Sequence, residues 1–210
     1  MAAPGPSSID HAARDQATLD FYADEAPVYA ASGPRGASRS LAAFLQALAP
    51  GARILELGCG AGRDSQAMLA RGFQLDATDG VPEIAREAEA RLGRPVRVMR
   101  FDELDAADEY DGVWAHASLL HVPRAALPGV LSLVFRALKP GGVHFASFKG
   151  GGCEGRDGLG RYFNYLTADE VRAAYGRSAA WDIQAVTEYL AGGYEGGQGP
   201  WVGITARKPI

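Results

Sequence analysis

The alternation of two periods limits this fold more than any other feature of the sequence. Between Ala52 and Phe148 lie five short apolar runs, ARILEL, FQLDATD, VRVMRF, YDGVWAHA and VHFASF, separated mostly by stretches of helical pattern. Strands that alternate with helices pair in parallel, because each crossover carries the chain back to the same edge. Glycine and proline stand where helix ends need them. Gly72 and Gly93 follow the ends of two helices, and Pro82 takes a first position. Glu87 and Arg91 stand four apart for a supporting ion pair, and Leu127, Val130, Leu131, Val134 and Leu138 form one apolar stripe. The expectation is an α/β fold with a doubly wound, mostly parallel, seven-stranded sheet.

Both flanks depart from that rhythm. Residues 1–8 read as a frayed tail, and Ile9 to Glu25 carries a helical pattern that Pro27 interrupts or restarts. Ser32 to Ser38 reads as a loop. A second helix with Leu41, Phe44, Leu45 and Leu48 on one face stops at Pro50-Gly51. Beyond Phe148, Lys149 to Gly160 holds six glycines in twelve residues and reads as a loop with little intrinsic order. Thr167 to Glu170, TADE, is a capping box that opens a helix. WDIQAVTEYL and WVGITARK follow with no helix between them, which suits an antiparallel hairpin at the sheet edge. The expected organisation is a single domain over 1–210, with a helical cap in 1–50, a core in 51–148 and a further segment in 149–210.

Composition removes several classes of function. The chain has 210 residues, a net charge of −4 and 22% charged residues, so no basic face is implied and nucleic acid is not an expected partner. No apolar run approaches the length of a membrane span, and MAAPGPSSIDHAARDQ holds no apolar signal core. The expected location is the cytoplasm. Cys59 and Cys153 have no metal spacing and read as free thiols, so no metal site is expected.

LELGCGAGRDS, Leu55 to Ser65, turns a strand into a helix through Gly58, Gly60 and Gly62. A nucleotide P-loop needs a lysine after the glycines, and Arg63-Asp64 stands there instead. A dinucleotide fingerprint needs a third glycine where this chain has Arg63, which weakens that reading. An adenosyl cofactor without a diphosphate is the third reading. Asp79 ends the second strand, where a carboxylate can accept hydrogen bonds from both ribose hydroxyls. The acidic Glu56 beside the turn suits a cationic ligand better than a diphosphate.

The glycine turn, Asp79 in TDG, Asp102 in FDEL, YDGVWAHASLLHVP and LKPGGVHFASF, in that order, resemble the motifs of class I S-adenosylmethionine-dependent methyltransferases. The resemblance covers about Ala52 to Phe148 and implies a Rossmann-like methyltransferase fold. LGCGAGRDS is also similar to the tellurite-resistance methyltransferases, which act on small soft nucleophiles. The family implies that Gly58 to Gly60 lie under the methionine part of the cofactor, that Asp79 binds ribose, and that Asp102 meets the adenine amino group beside Phe101. It also implies that His116 to Leu119 pass near the reactive sulfur, and that an N-terminal helical segment covers the site. The candidate cofactor-binding residues are then Tyr22, Tyr29, Glu56, Gly58, Cys59, Gly60, Arg63, Asp79, Gly80, Phe101, Asp102 and His116.

Each candidate has a plainer role beside the functional one. Asp79 suits a helix cap near Pro82. The ten-residue acidic run that begins at Asp102 reads mostly as a solvated loop, and Cys59 as a small filler. His116 and His121 are candidate proton acceptors for a methyl acceptor, or pocket-shaping residues. Tyr22 and Tyr29 pack the N-terminal helices against the sheet or close over a sulfonium. The expected function is methyl transfer from S-adenosylmethionine, with S-adenosylhomocysteine as product, to a small-molecule acceptor, by a monomer or homodimer. A non-catalytic cofactor-binding module and a nicotinamide-dependent oxidoreductase are the alternatives.

Overall fold

A computed structural model describes residues 13–32, 36–194 and 196–210. The start expected at Ile9 and the tail over 1–8 lie outside them, as does part of the loop at 32–38. The N-terminal pattern breaks at Pro27 into α1 (Gln16–Asp24) and α2 (Ala26–Ala31), followed by α3 (Leu41–Gln46). Asp15 caps α1, its Oδ1 accepting from the Thr18 N–H at 2.9 Å.

The alternation then gives β1 (Arg53–Leu57), α4 (Arg63–Ala70), β2 (Gln74–Asp79), α5 (Pro82–Leu92), β3 (Arg97–Val98), β4 (Tyr110–Ala115), α6 (Leu127–Ala137) and β5 (Leu138–Lys149). A small hairpin, β6 (Gly155–Arg156) with β7 (Tyr162–Phe163), precedes α7 (Ala168–Ser178), and β8 (Asp182–Gly192) and β9 (Gln198–Arg207) complete the chain. Thr167 and Glu170 form both bonds of the expected capping box at the start of α7.

The main sheet has seven strands in the order β3-β2-β1-β4-β5-β9-β8. The first five run parallel, and β9 lies antiparallel between β5 and β8. The expected terminal hairpin is therefore present, with its second strand on the inside. Its two faces feed two cores, as the period of two requires. Val113 and Ala115 face a cluster with Val130, Val134 and Tyr175 of α6 and α7. Trp114 faces the other way, with Phe44, Met68, Ala85 and Phe145.

Three local differences from the sequence reading have clear causes. β3 keeps only two paired residues, both exposed, because Arg100 turns the chain: its N–H donates to the Glu103 carboxylate at 2.7 Å and starts a short 3₁₀ turn at Phe101–Glu103. β5 begins ahead of VHFASF, since Leu138 already pairs with Tyr110 and the KPGG stretch forms an irregularity within the strand. The glycine-rich 149–160 segment is not structureless, because Gly155 and Arg156 pair with Phe163 and Tyr162.

Candidate active site

The parallel strands end together, and their carboxyl edge is the place where open α/β sheets hold ligands. There the turn after β1, the end of β2, the segment after β3, the segment after β4 and helix α1 enclose a cavity of about 100 Å³. Gly58, Gly60, Asp79, Gly80, Phe101, Tyr22, Tyr29 and His121 line it, so eight of the residues singled out in the sequence meet at one place. Ala117 and Ser118, from the His116 to Leu119 segment, also line it, as do Arg14, Asp15, Thr18 and Arg100, which no local motif marks.

The turn is tight because its glycines have positive φ, +72° at Gly58 and +54° at Gly60. A Cβ on Gly58 would lie 2.5 Å from Ser118 Cβ, and one on Gly60 would lie 3.1 Å from the Tyr29 hydroxyl. Asp79 braces the same turn. Its Oδ2 accepts from the Gly60 N–H and its Oδ1 from the Val81 N–H, both at 3.0 Å. The plainer capping role is thus present in fact, and the carboxylate still borders the cavity. Burial pushes its pKa up to about 6, against the opposing pull of these N–H groups.

Beside it, Phe101 lines the cavity and Asp102 lies behind. The Asp102 side chain is 2% exposed and pairs with Arg100 Nε at 3.4 Å. Neither of its oxygens accepts a hydrogen bond among the described residues.

Five candidates lie outside the cavity lining. Glu56 is buried beneath the turn, where it accepts a short hydrogen bond from Ser65 Oγ. Burial and the nearby Asp64 raise its pKa well above the carboxylate range, so it offers little negative charge to a cation. Cys59 is buried, with its thiol pushed up by burial, and fills space under the turn. Arg63 points back to the cap, where its Nη1 donates to the Ser32 carbonyl at 2.5 Å. His116 stands on the opposite face of the sheet from His121. It stacks at 9° on Trp114 and its Nδ1 lies 3.2 Å from Ser38 Oγ. Asp102 is the fifth.

His121 does line the cavity, and its protons can be placed. Nδ1 lies 2.6 Å from the Tyr162 carbonyl, which can only accept, so Nδ1 carries the hydrogen. Nε2 is then the acceptor, 3.0 Å from the Tyr22 hydroxyl, which donates to it. Arg161 Nη1 donates in turn to the Tyr22 oxygen at 3.1 Å. Burial lowers the His121 pKa to about 4 and raises that of Tyr22, so both groups are neutral near pH 7.

The N-terminal helices form one wall of the cavity, and the glycine-rich segment does not reach it. That segment acts from outside. Arg156 pairs with Asp15 at 2.6 Å, and Arg161 lies near the rings of Phe21, Tyr22 and Tyr194. Of that segment, Lys149 and Gly150 help line a second cavity beside the β8–β9 turn, with Tyr165, Pro200 and Trp201. The described residues hold no metal-ligating cluster and no helix long and apolar enough to cross a membrane.

Residues 54–142 match the family model of a methyltransferase domain. The ubiquinone biosynthesis O-methyltransferase of Xanthomonas campestris is 35% identical over 105 residues, 47% of this chain and 43% of that one. The enzyme of the same name from Xylella fastidiosa is 33% identical over 104 residues, 46% and 42% of the two chains. The aligned stretch thus spans less than half the length of either relative. Among solved structures, a Methanosarcina mazei S-adenosylmethionine-dependent methyltransferase superposes with a TM-score of 0.73 at 19% identity, over 83% of this chain and 99% of that one. The 1,6-didemethyltoxoflavin-N1-methyltransferase of Burkholderia thailandensis, solved with bound 1,6-didemethyltoxoflavin and S-adenosylhomocysteine, gives 0.72 at 22% identity, over 100% of this chain and 94% of that one. The match to a methyltransferase domain over residues 54–142, the strand order and the superpositions agree, and the fold is that of the S-adenosylmethionine-dependent methyltransferases.

Proposed function

We propose that this protein transfers a methyl group from S-adenosylmethionine to a small-molecule nucleophile. The carrying observation is that Gly58, Gly60, Asp79 and Phe101 line one cavity at the carboxyl edge of the sheet. These residues fit the cofactor. A Cβ on either glycine would crowd the floor. Asp79 offers a carboxylate to a vicinal diol, and the Phe101 ring offers a face to a flat base. The buried Asp102 carboxylate has acceptor capacity that no described group satisfies. When bound, the cofactor supplies a methyl group already activated on sulfur.

The chain's own part is then to bind, align and exclude water, and alignment alone is worth roughly 7–11 kcal/mol in favourable cases. Asp79 anchors one end, the turn sets the depth, and α1 and α2 wall the cavity from solvent. The neutral Tyr22–His121 pair is the polar group best placed to orient the acceptor. A base near pKa 4 stays unprotonated across the physiological range but pulls weakly, so it suits an acceptor that is itself acidic or pre-ionised.

The relatives point to a small acceptor without choosing the atom. Those named above are an oxygen methyltransferase and a ring-nitrogen methyltransferase. The 149–210 segment, which lies outside the family match, is where we place acceptor selectivity within a single domain. The test is calorimetric titration with S-adenosylhomocysteine, followed by a panel of phenols, amines, ring nitrogens and thiols scored by S-adenosylhomocysteine release. Micromolar binding with turnover of one class supports the proposal. Absence of binding would overturn it, and binding without turnover across the panel would favour the non-catalytic module.

A further inference from the structure

We propose that the methyl acceptor enters this cavity already ionised, with Arg14 as the contact for its negative charge and the Tyr29 hydroxyl as a second donor. The proposal rests on the cofactor reading above and names the class of acceptor that the site takes. What each polar side chain at the cavity is already bonded to decides between an acceptor that arrives with its proton and one that arrives without it.

Among the described residues, each lining side chain that could take up a proton is engaged elsewhere. Asp15 Oδ1 accepts from the Thr18 N–H and Oγ1 at 2.9 and 2.7 Å, and its two oxygens meet Arg156 at 3.0 and 2.6 Å. Asp79 holds the Gly60 and Val81 N–H groups and serves the ribose under the cofactor reading. His121 Nε2 holds the Tyr22 hydroxyl proton at 3.0 Å, while Nδ1 keeps its own hydrogen on the Tyr162 carbonyl. The Tyr22 oxygen in turn accepts from Arg161. Moving a proton from the acceptor onto His121 would break the Tyr22 bond and set a second positive charge beside the Arg161 guanidinium. A general base needs a lone pair within reach of the proton it removes, and these groups have theirs in use.

The groups left over are donors. Arg14 lines the cavity and makes no ion pair or hydrogen bond with a described residue. The other lining cation, Arg100, pairs with Asp102 at 3.4 Å and Glu103 at 2.8 Å. The Tyr29 hydroxyl stands over the glycine turn, and no described residue accepts its hydrogen. Burial raises its pKa, so it keeps that hydrogen to donate. Acceptors already met and donors still unmet suit a ligand that brings negative charge. An ionised acceptor also simplifies the transfer. Its lone pair attacks the methyl carbon, the new bond forms as the carbon–sulfur bond breaks, and the departing pair stays on sulfur. One negative and one positive charge cancel, and no proton has to leave. Of the acidic and pre-ionised acceptors named above, the cavity therefore takes the second.

The probe is para-nitrophenol, whose ionised and neutral forms differ in colour, titrated in protein saturated with S-adenosylhomocysteine. The phenolate should bind about tenfold more tightly than the phenol, the gain of a charged over a neutral hydrogen-bonded partner, so the midpoint of the colour change should fall by about one pH unit. Arg14→Gln should cut that preference to about threefold or less, and Arg14→Lys should restore most of it. Calorimetry should find the S-adenosylhomocysteine affinity of both variants within about twofold of the wild-type value. Equal affinity for the two forms, tighter binding of the neutral one, no binding of the dye, or a preference that Arg14→Gln leaves unchanged would overturn the inference while leaving the cofactor reading intact. If the wild-type protein does not bind S-adenosylhomocysteine, it is the cofactor reading that fails.

Discussion

At the scale of single residues, the site combines groups with two roles each, and substitution should expose both. Asp79 accepts two backbone N–H bonds and borders the cavity. Asp79→Asn keeps the size but places an amide N–H₂ against one of those donors. S-adenosylhomocysteine affinity should drop by roughly tenfold to a hundredfold, as for loss of a charged acceptor. The pH profile separates the two roles. With the wild-type carboxyl near pKa 6, cofactor affinity should weaken as pH falls through 6, where Asp79 takes up a proton, and the Asn variant should lose that dependence. Calorimetry at pH 5, 6 and 7.5 reads both effects, and a wild-type affinity that is flat across them would refute the assignment. Gly60→Val tests the turn. The new side chain must sit at φ +54° against Tyr29, so the fold should lose about 1–3 kcal/mol in denaturant titration, and cofactor binding should be lost with it.

At the scale of elements, Arg161 ties the cap to the β6–β7 segment, beside the apolar contact of α1 and α2 with Val81 and Ile84. Arg161 is 1% exposed and bonds Asp157 through Nε and Nη2 at 2.9 and 2.6 Å. It also reaches Tyr22 of α1, while the Tyr162 N–H donates to Thr18 Oγ1 of the same helix at 2.8 Å. Arg161→Ala should cost about 3–5 kcal/mol, because it strands the buried Asp157 carboxylate. It should also raise hydrogen exchange in α1 while leaving β1 protected; equal exchange in α1 of both proteins would show that the helix holds by itself. None of this was visible in the sequence, since Arg161 sits beside a glycine-rich run and meets Tyr22 across 139 positions. The legible parts were those fixed by local period and turn chemistry. Gly58, Gly60 and Asp79 stand at strand ends, and a period-two pattern states where a strand ends. Glu56 and His116 were misjudged for the same reason. Their positions in the chain were right, but which face each side chain takes depends on packing. Glu56 turned into the buried Ser65 pair, and His116 turned to the Trp114 face. The resemblance brought the His116 to Leu119 segment to the site, but the left-handed turn at Ala117 that aims Ser118 has no mark in the sequence.

At the scale of the whole molecule, each buried neutral histidine should draw stability down as pH falls. His144 lies in β5 with 0% exposure, its Nδ1 donating to the Val113 carbonyl at 3.0 Å and its ring among Tyr175 and Trp181. Burial lowers its pKa to about 4, as it does for His121. A histidine whose folded pKa lies below the ordinary 6.5 binds fewer protons in the native state than in the unfolded chain. Stability is therefore lost as pH falls from 6.5 toward 4. Between pH 7 and pH 5 each such histidine removes about 2 kcal/mol. Asp79 works in the opposite direction. Its folded pKa is raised, so the native state gains protons first, and the fold recovers about 1 kcal/mol over the same range. Burial holds the Glu56 carboxyl well above the carboxylate range, so it works in the same direction as Asp79 and adds stability as pH falls toward 5. The buried histidines and the buried carboxyls therefore oppose each other between pH 7 and pH 5, and the share of one histidine is read by difference at constant ionic strength. His144→Phe keeps the ring and removes the titration. Its stability should fall by about 2 kcal/mol less than that of the wild-type protein over that interval, whatever its value at pH 7. Parallel pH dependences for the two proteins would mean that His144 does not titrate with folding, and that the acid sensitivity arises elsewhere.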